Sequence, residues 1–188
     1  MKFCSSCGSA DITHSIPKDD NRLRFVCSSC EEIFYHNPKM VVGCIAEWQG
    51  KILMCKRAIE PRHGKWTLPA GFMENEETVH AAAARETQEE ATAEVANMSL
   101  YTIYNLPHIS QVYIMFRADL VAGKASPGIE SLEVALMNEA EIPWDNLAFP
   151  VIRESLLHYF EDKRQGEFKM HYGDIRRLEN TQLEIKHY

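Results

Sequence analysis

The sequence predicts an α+β protein in which a mixed β-sheet lies between helical layers, with a small cysteine-paired module in front. Two C-x-x-C pairs stand in the first thirty residues, and apolar strand-like runs interleave with two long helical segments after them. At 188 residues the chain can build one domain with its own core plus a small accessory module. Hydrophobic residues make up 45% and charged residues 25%, which excludes a mostly disordered, collagen-like or coiled-coil chain.

No apolar run approaches the ~20 residues of a membrane helix, and the opening MKFCSSCGS has no long apolar stretch of a secretory signal. A cytoplasmic protein with no membrane partner is expected. Net charge is −7. Phosphate neutralisation supplies most nucleic-acid affinity, so a general nucleic-acid partner is not expected. The sign reverses locally between Lys51 and Lys65, where Lys51, Lys56, Arg57, Arg62 and Lys65 face Glu60 as the only acid. The segment that follows is acidic.

The first module spans residues 1–38. Cys4 and Cys7 form one pair and Cys27 and Cys30 another, with nineteen residues between the pairs. This is the spacing of a four-cysteine zinc site. Two cysteines on a tight turn place both sulfurs on one side of a knuckle, and two facing knuckles complete a closed tetrahedron. So short a segment buries too little apolar surface to fold alone, so metal would supply most of its folding energy. Disulfides are disfavoured in a reducing compartment. Lys2, Lys18, Arg22 and Arg24 against Asp11, Asp19, Asp20, Glu31 and Glu32 leave the module near neutral, which favours a structural or dimerising role over nucleic-acid binding. Cys44 and Cys55 fall in strand patterns and are expected as buried thiols without chemistry.

Asn37-Pro38 marks the end of this module, and the second domain is expected over 39–188. Met40–Trp48 reads as an apolar strand, Gln49-Gly50 as a turn, and Lys51–Arg57 as the returning strand. A loop with Pro61 and Gly64 leads into the run 66–72, where Trp66 is expected in the core. Helix is expected from Thr78, as N-cap, to about Glu94. Further strands are expected at 100–105, 111–120 and 132–137. A last helix starts near Pro150, with an apolar stripe of Ile152, Leu156, Tyr159 and Phe160 and a stop at Gly166.

The chemistry concentrates in the first helix. Glu86, Glu89 and Glu90 stand at i, i+3 and i+4, so three carboxylates share one patch. Helical projection puts Glu86 and Glu90 on the stripe of Val79, Ala82, Ala83 and Ala93, which faces the protein. Inward carboxylates need compensation, and a divalent cation is its natural source. A glutamate-rich helix alone also describes a solvated face, so the surrounding residues decide.

Those residues resemble the Nudix hydrolase signature G-x5-E-x7-R-E-U-x-E-E-x-G-U, with U apolar. Gly71, Glu77, Arg85, Glu86, Glu89 and Glu90 meet it at the right spacing, while Thr87 replaces an apolar residue and Thr92 a glycine. The runs 35–39, 55–61 and 66–72 resemble the zinc-ribbon branch of Nudix pyrophosphatases, which includes NADH pyrophosphatases. The stretches 37–44, 128–133 and 171–173 resemble the plant FAD/ADP-ribose pyrophosphatases.

The resemblance implies a Nudix α/β/α sandwich and hydrolysis of a nucleoside diphosphate linked to another moiety. FAD or ADP-ribose would give AMP and a phosphorylated product; NADH is the alternative substrate. It implies Mg²⁺ or Mn²⁺ on Glu86, Glu89, Glu90 and the Ala70 carbonyl, and a Glu77–Arg85 salt bridge that orients the catalytic loop. The general base stays open among Glu86, Glu89, Glu130 and Glu133. Arg57, Arg62 and Lys65 are candidates for substrate phosphate. The expected partner is a small dinucleotide or nucleotide sugar, with homodimers common among relatives. A non-catalytic ligand sensor on the same fold is the reading of another class, and sensors commonly lose a signature glutamate.

Overall fold

In the first of two units, Met1–Asn37, three short antiparallel strands hold two cysteine turns. The structure is a computed structural model that describes residues 1–178 and 182–188. Strand β1 (Ile12–Ser15) pairs with β2 (Arg24–Cys27), and β2 pairs with β3 (Ile33–Phe34). Cys4 and Cys27 are the only buried apolar side chains of this unit. Its apolar burial is therefore far below what ordering some thirty-seven residues costs.

The second unit, Pro38–Tyr188, is built on a nine-stranded sheet among the described residues. Strands β4 (Lys39–Trp48) and β5 (Lys51–Arg57) form the expected hairpin. Gln49 and Gly50 both take positive φ, 49° and 82°, as a two-residue hairpin turn matched to strand twist requires. Two short strands, β6 (Trp66–Thr67) and β7 (Ala70–Phe72), pair with β5 and β4 respectively. Helix α1 (Val79–Ala91) follows. Then come β8 (Val95–Leu106), β9 (Gln111–Leu120) and β10 (Ser131–Met137). Helix α2 (Pro150–Gln165) precedes β11 (His171–Arg177) and β12 (Leu183–His187).

The strand order is β10-β5-β4-β9-β8-β11-β12. The β4–β9 and β8–β11 pairs are parallel and the others antiparallel, so the sheet is mixed. Each face carries its own core. On one face Ala82, Ala83 and Ala91 of α1 pack on Val42, Cys44, Ala46, Leu53 and Cys55. On the other, Val151, Ile152, Leu156, Tyr159 and Phe160 of α2 pack on Ile45, Ile52, Met54 and Trp66. This is the α/β/α sandwich, with Trp66 in the core and Cys44 and Cys55 buried.

Three elements differ from the sequence reading. Helix α1 ends at Ala91 rather than near Glu94, because Thr92 turns left-handed (φ 46°) and closes the helix. Strand β8 starts five residues earlier than expected, since pairing with β9 continues through two register shifts and Val95 and Met98 pack on the core beneath α1. The hairpin of β11 and β12 has little sequence signal: in β11 only Gly173, Asp174 and Ile175 are buried. Gly173 is needed there, since a Cβ would lie 2.1 Å from the Lys186 carbonyl oxygen of β12. Among the described residues no helix is long and apolar enough to cross a membrane.

Candidate active site

Small residues on α1 let its backbone lie close to the sheet. Thr78 caps the helix, its Oγ1 accepting from the Ala81 N–H at 3.1 Å. The buried face carries Ala82, Ala83, Glu86, Thr87, Glu90 and Ala91. Thr87 is tolerated at a buried position because its hydroxyl donates to the Ala83 carbonyl at 2.8 Å. Glu86 and Glu90 are therefore carboxylates presented inward, 8% and 5% exposed, while the Glu89 side chain points to solvent.

Arg85 gathers the acids around it. Its Nε and Nη2 donate to the two Glu77 oxygens at 2.6 and 3.0 Å, a bidentate pair. Nη1 donates to both Glu86 Oε1 and Glu89 Oε2 at 2.8 Å, and Nη2 also reaches the Phe72 carbonyl at 3.1 Å. Glu77 in turn accepts the Glu74 N–H at 3.1 Å. One guanidinium thus ties the loop after β7 to α1. Arg85 holds the Glu77 carboxyl below its ordinary range, helped by the Glu74 N–H.

The inner carboxylates move the opposite way. Burial pushes Glu86 up, against the opposing pull of Arg85. Burial pushes Glu90 up to about 8, with the Glu86 and Glu130 charges adding to it. The Ala70 N–H, which donates to Glu90 Oε2 at 3.2 Å, and the Arg57 charge act against that rise. Two buried, mutually repelling carboxylates are an arrangement that hard cations with oxygen ligands relieve. A cation arriving there competes with Arg85 for Glu86 and Glu89.

The other candidate residues separate. Glu130 sits on a loop that docks on the end of α1: the Ser126 N–H donates to the Ala91 carbonyl at 2.8 Å and the Gly128 N–H to the Glu90 carbonyl at 3.0 Å. That approach needs glycine, because a Cβ at 128 would lie 1.7 Å from the Glu89 carbonyl oxygen. The Glu130 charge reaches both Glu86 and Glu90. Glu133 instead lies on β10 opposite Lys56 and pairs with its Nζ at 3.5 Å. Arg57 is buried, its Nε donating to the Pro61 carbonyl at 2.9 Å and its guanidinium 5.2 Å from the Phe149 ring. Arg62 and Lys65 line a separate cavity at the start of α2, with Trp144, Phe149, Arg153 and Glu154. The sequence reading gave those last four no site role. Beside the loop after β7, a cavity of about 490 Å³ is lined by Met40, Phe72 and Met73, with Lys39 Nζ 4.9 Å above the Phe72 ring.

In the first unit the four cysteine sulfurs lie within 4.8 Å of one another; among the described residues no other group of three or more histidine, cysteine or carboxylate ligands, the α1 glutamates included, is drawn together so closely. Cys4 Sγ and Cys30 Sγ are 3.7 Å apart, and Cys7 Sγ and Cys27 Sγ 3.6 Å. A disulfide would need about 2.0 Å, whereas a tetrahedron with Zn–S of about 2.3 Å has an edge of roughly 3.8 Å. The Ser6 and Cys7 N–H groups both point at Cys4 Sγ at 3.4 Å, which favours a thiolate there.

Comparison with known proteins agrees with this geometry. The NUDIX domain family matches residues 37–160, and the family described as Nudix N-terminal, a zinc ribbon, matches residues 2–36. A crystal structure of a NUDIX hydrolase from Nitrosomonas europaea superposes with a TM-score of 0.90 at 54% identity, covering 94% of this chain and 99% of that one. The NAD-capped RNA hydrolase NudC of Photobacterium profundum is 30% identical over 76% of this chain and 52% of its own length. The ADP-ribose pyrophosphatase of Methanocaldococcus jannaschii is 33% identical over 61% of this chain and 69% of its own length. The chain spans about half the length of the NAD-capped RNA hydrolases it matches. With its signature helix, its mixed sheet and these matches, the chain belongs to the Nudix hydrolase family, in the branch that carries an N-terminal zinc ribbon.

Proposed function

We propose that the protein hydrolyses the diphosphate bond of a nucleoside diphosphate linked to another moiety, with FAD or ADP-ribose giving AMP and a phosphorylated product. The observation that carries this reading is the pair of buried carboxylates, Glu86 and Glu90, with Glu89 beside them and Glu130 facing them. All signature acids are present, which favours an enzyme over a ligand sensor.

The residues fit Mg²⁺ or Mn²⁺. The donors are all oxygens, the two inner ones are desolvated, and the Gly71 position has no room for a side chain beside Glu86. Glu86, Glu89, Glu90 and the Ala70 carbonyl would hold the metal. Bound there, it would neutralise the diphosphate and lower the pKa of an attacking water. Arg85 keeps Glu86 and Glu89 oriented and anchors the loop through Glu77 and the Phe72 carbonyl. Arg57 brings positive charge toward Glu90 and the incoming phosphate. Glu89 and Glu130 are the solvent-exposed acids near the cluster, so they are the better placed to take the water's proton, and Glu133 is engaged with Lys56. Zn²⁺ on Cys4, Cys7, Cys27 and Cys30 is the structural metal. None of the six cysteines forms a disulfide, in keeping with the reducing, cytoplasmic setting proposed for the chain.

The NudC relatives favour a second reading, NADH or the NAD cap of an RNA as substrate. Incubation with FAD, ADP-ribose, NADH and a short NAD-capped RNA, with and without Mg²⁺, followed by chromatography of products, separates these. AMP released from FAD or ADP-ribose only with metal supports the first reading. Glu89→Gln is expected to abolish turnover with unchanged melting, and retained turnover in that variant contradicts the assignment.

A further inference from the structure

Away from the acid cluster and the cysteine ribbon, a further set of ligand side chains converges where α2 crosses the β12 edge of the sheet. Tyr104 on β8, Gly173 on β11 and His187 on β12 stand in one row, Tyr104 in register with Gly173 and Gly173 with His187. Residues in register point to the same face of a sheet. The glycine puts no side chain between its neighbours, so Tyr104 and His187 meet over it. His158 of α2 reaches the same point.

The atoms that meet are all ligand atoms. Tyr104 Oη lies 2.9 Å from His158 Nε2 and 3.0 Å from His187 Nδ1, and the two nitrogens are 3.3 Å apart. Protons serve this triangle incompletely. A neutral ring nitrogen either donates or accepts, so the phenol and one nitrogen supply at most two protons for three contacts. The nitrogen–nitrogen contact must share one of them. Ligand atoms about 2.0–2.1 Å from a tetrahedral ion stand roughly 3.3 Å from one another, close to the spacing of these three.

The rings are held from behind. His187 turns its other nitrogen, Nε2, toward Glu154 Oε2 at 3.7 Å, and Glu154 stands one turn before His158 on α2. His171, joined to Asp162 at 2.8 Å, stacks on the His158 ring at 3.9 Å. A carboxylate behind the second nitrogen is the usual support of a metal-binding histidine. Tyr104 is fully buried and His158 half-buried, but the His187 side chain is 46% exposed, which leaves an ion a way in from solvent.

We propose that Tyr104, His158 and His187 form a further metal site, taking Zn²⁺ or a like late first-row divalent ion with water in the fourth position. Imidazole ligands favour such ions over Mg²⁺, so this site and the all-oxygen acid cluster select different metals. The phenolic proton leaves to solvent as the bond to Oη forms. The ligands come from β8, α2 and β12, so the ion fastens the last strand to the sheet and to α2.

The test uses the full chain with one equivalent of Zn²⁺ supplied for the cysteines and excess Mg²⁺ for the glutamates. Co²⁺ is then titrated in as a stand-in for Zn²⁺, followed by visible absorption, proton release and thermal melting. One equivalent is expected to bind, with the strong visible bands of a tetrahedral site, no thiolate charge-transfer band, and a raised melting temperature. Losing one ligand of three should cost at least the about tenfold that loss of an outer-shell partner costs. His187→Gln, at an exposed ring, and Tyr104→Phe, which keeps the buried ring, are therefore each expected to weaken Co²⁺ binding by about tenfold or more. Tyr104→Phe should also abolish the proton release. Melting of either variant without Co²⁺ shows that it folds. A wild-type chain that takes up no Co²⁺ overturns the proposal, as does binding unchanged in either variant. Co²⁺ bands that carry thiolate charge transfer place the ion in the ribbon and overturn it as well.

Discussion

A methyl group on residue 71 would sit 2.2 Å from Oε2 of Glu86. The glycine therefore gives the inner carboxylate its place. Gly71→Ala forces Glu86 or the loop after β7 to shift, and an overpacked contact of this kind costs about 1–3 kcal/mol. The expected outcome is a loss of turnover of more than about a hundredfold, since a displacement near 1 Å at reacting groups costs that much, with a melting temperature lowered by only a few degrees. Steady-state kinetics beside a thermal melt checks it; near-normal turnover contradicts the role given to Glu86.

Thr92 closes α1 in a left-handed conformation that glycine adopts without strain. A side chain there costs about 1 kcal/mol. Thr92→Gly is expected to recover roughly that amount despite the added freedom of the unfolded chain, raising the melting temperature by about 2–4 °C. A variant no more stable than the parent shows that Thr92 is unstrained.

Acid should destabilise the second unit in two stages. His158 faces Tyr104 and His187, stacks on His171 at 3.9 Å, and lies near Asp162 and Lys169. Burial, with the His171 and His187 charges, pushes it down to about 4 from an ordinary 6.5. Between those values the unfolded chain binds a proton that the native state refuses, so stability falls as pH drops from 6.5 to 4. Discounted for the partial exposure of the ring, this amounts to roughly 1–2 kcal/mol. Asp162 shifts down, because His171, Tyr101 and the Lys169 N–H hold its charged form despite burial. Its contribution is present above the ordinary carboxylate pKa and is lost below it, as pH falls through the native value. Urea titrations at pH 7, 5.5 and 4 should show the His158→Gln variant with a flatter slope across the upper range; identical slopes contradict the assignment.

The first unit buries almost no apolar side chain apart from its cysteines. It should therefore hold one zinc per chain and lose its amide protection when a chelator removes the metal. Cys27→Ser, at a fully buried sulfur, is expected to purify with far less zinc. Retention of protected amides in 1–37 after complete chelation contradicts a metal-supported fold.

Much of this was legible before the structure. Cysteine spacing marked the ribbon because metal geometry constrains sequence locally. The burial of Glu86 and Glu90 followed from helical period alone, since Ala82 and Ala83 share their stripe. What was not legible depends on residues far apart in sequence. β11 and β12 are largely polar strands, ordered by pairing and not by an apolar alternation. The bridging of Glu77, Glu86 and Glu89 by one guanidinium needs the loop after β7 folded back on α1. The walls of the cavity at α2 come from three segments, so its lining is set only when they meet.

Mn²⁺ binding, read by electron paramagnetic resonance on the wild-type chain and on Glu86→Gln and Glu90→Gln and paired with turnover on FAD and ADP-ribose, bears most directly on the acid cluster. Wild-type protein should bind Mn²⁺ tightly and hydrolyse a diphosphate-linked nucleotide, and each variant should lose affinity by about tenfold or more together with turnover. Variants that bind Mn²⁺ and turn over substrate as the wild type does would show that the chemistry lies elsewhere.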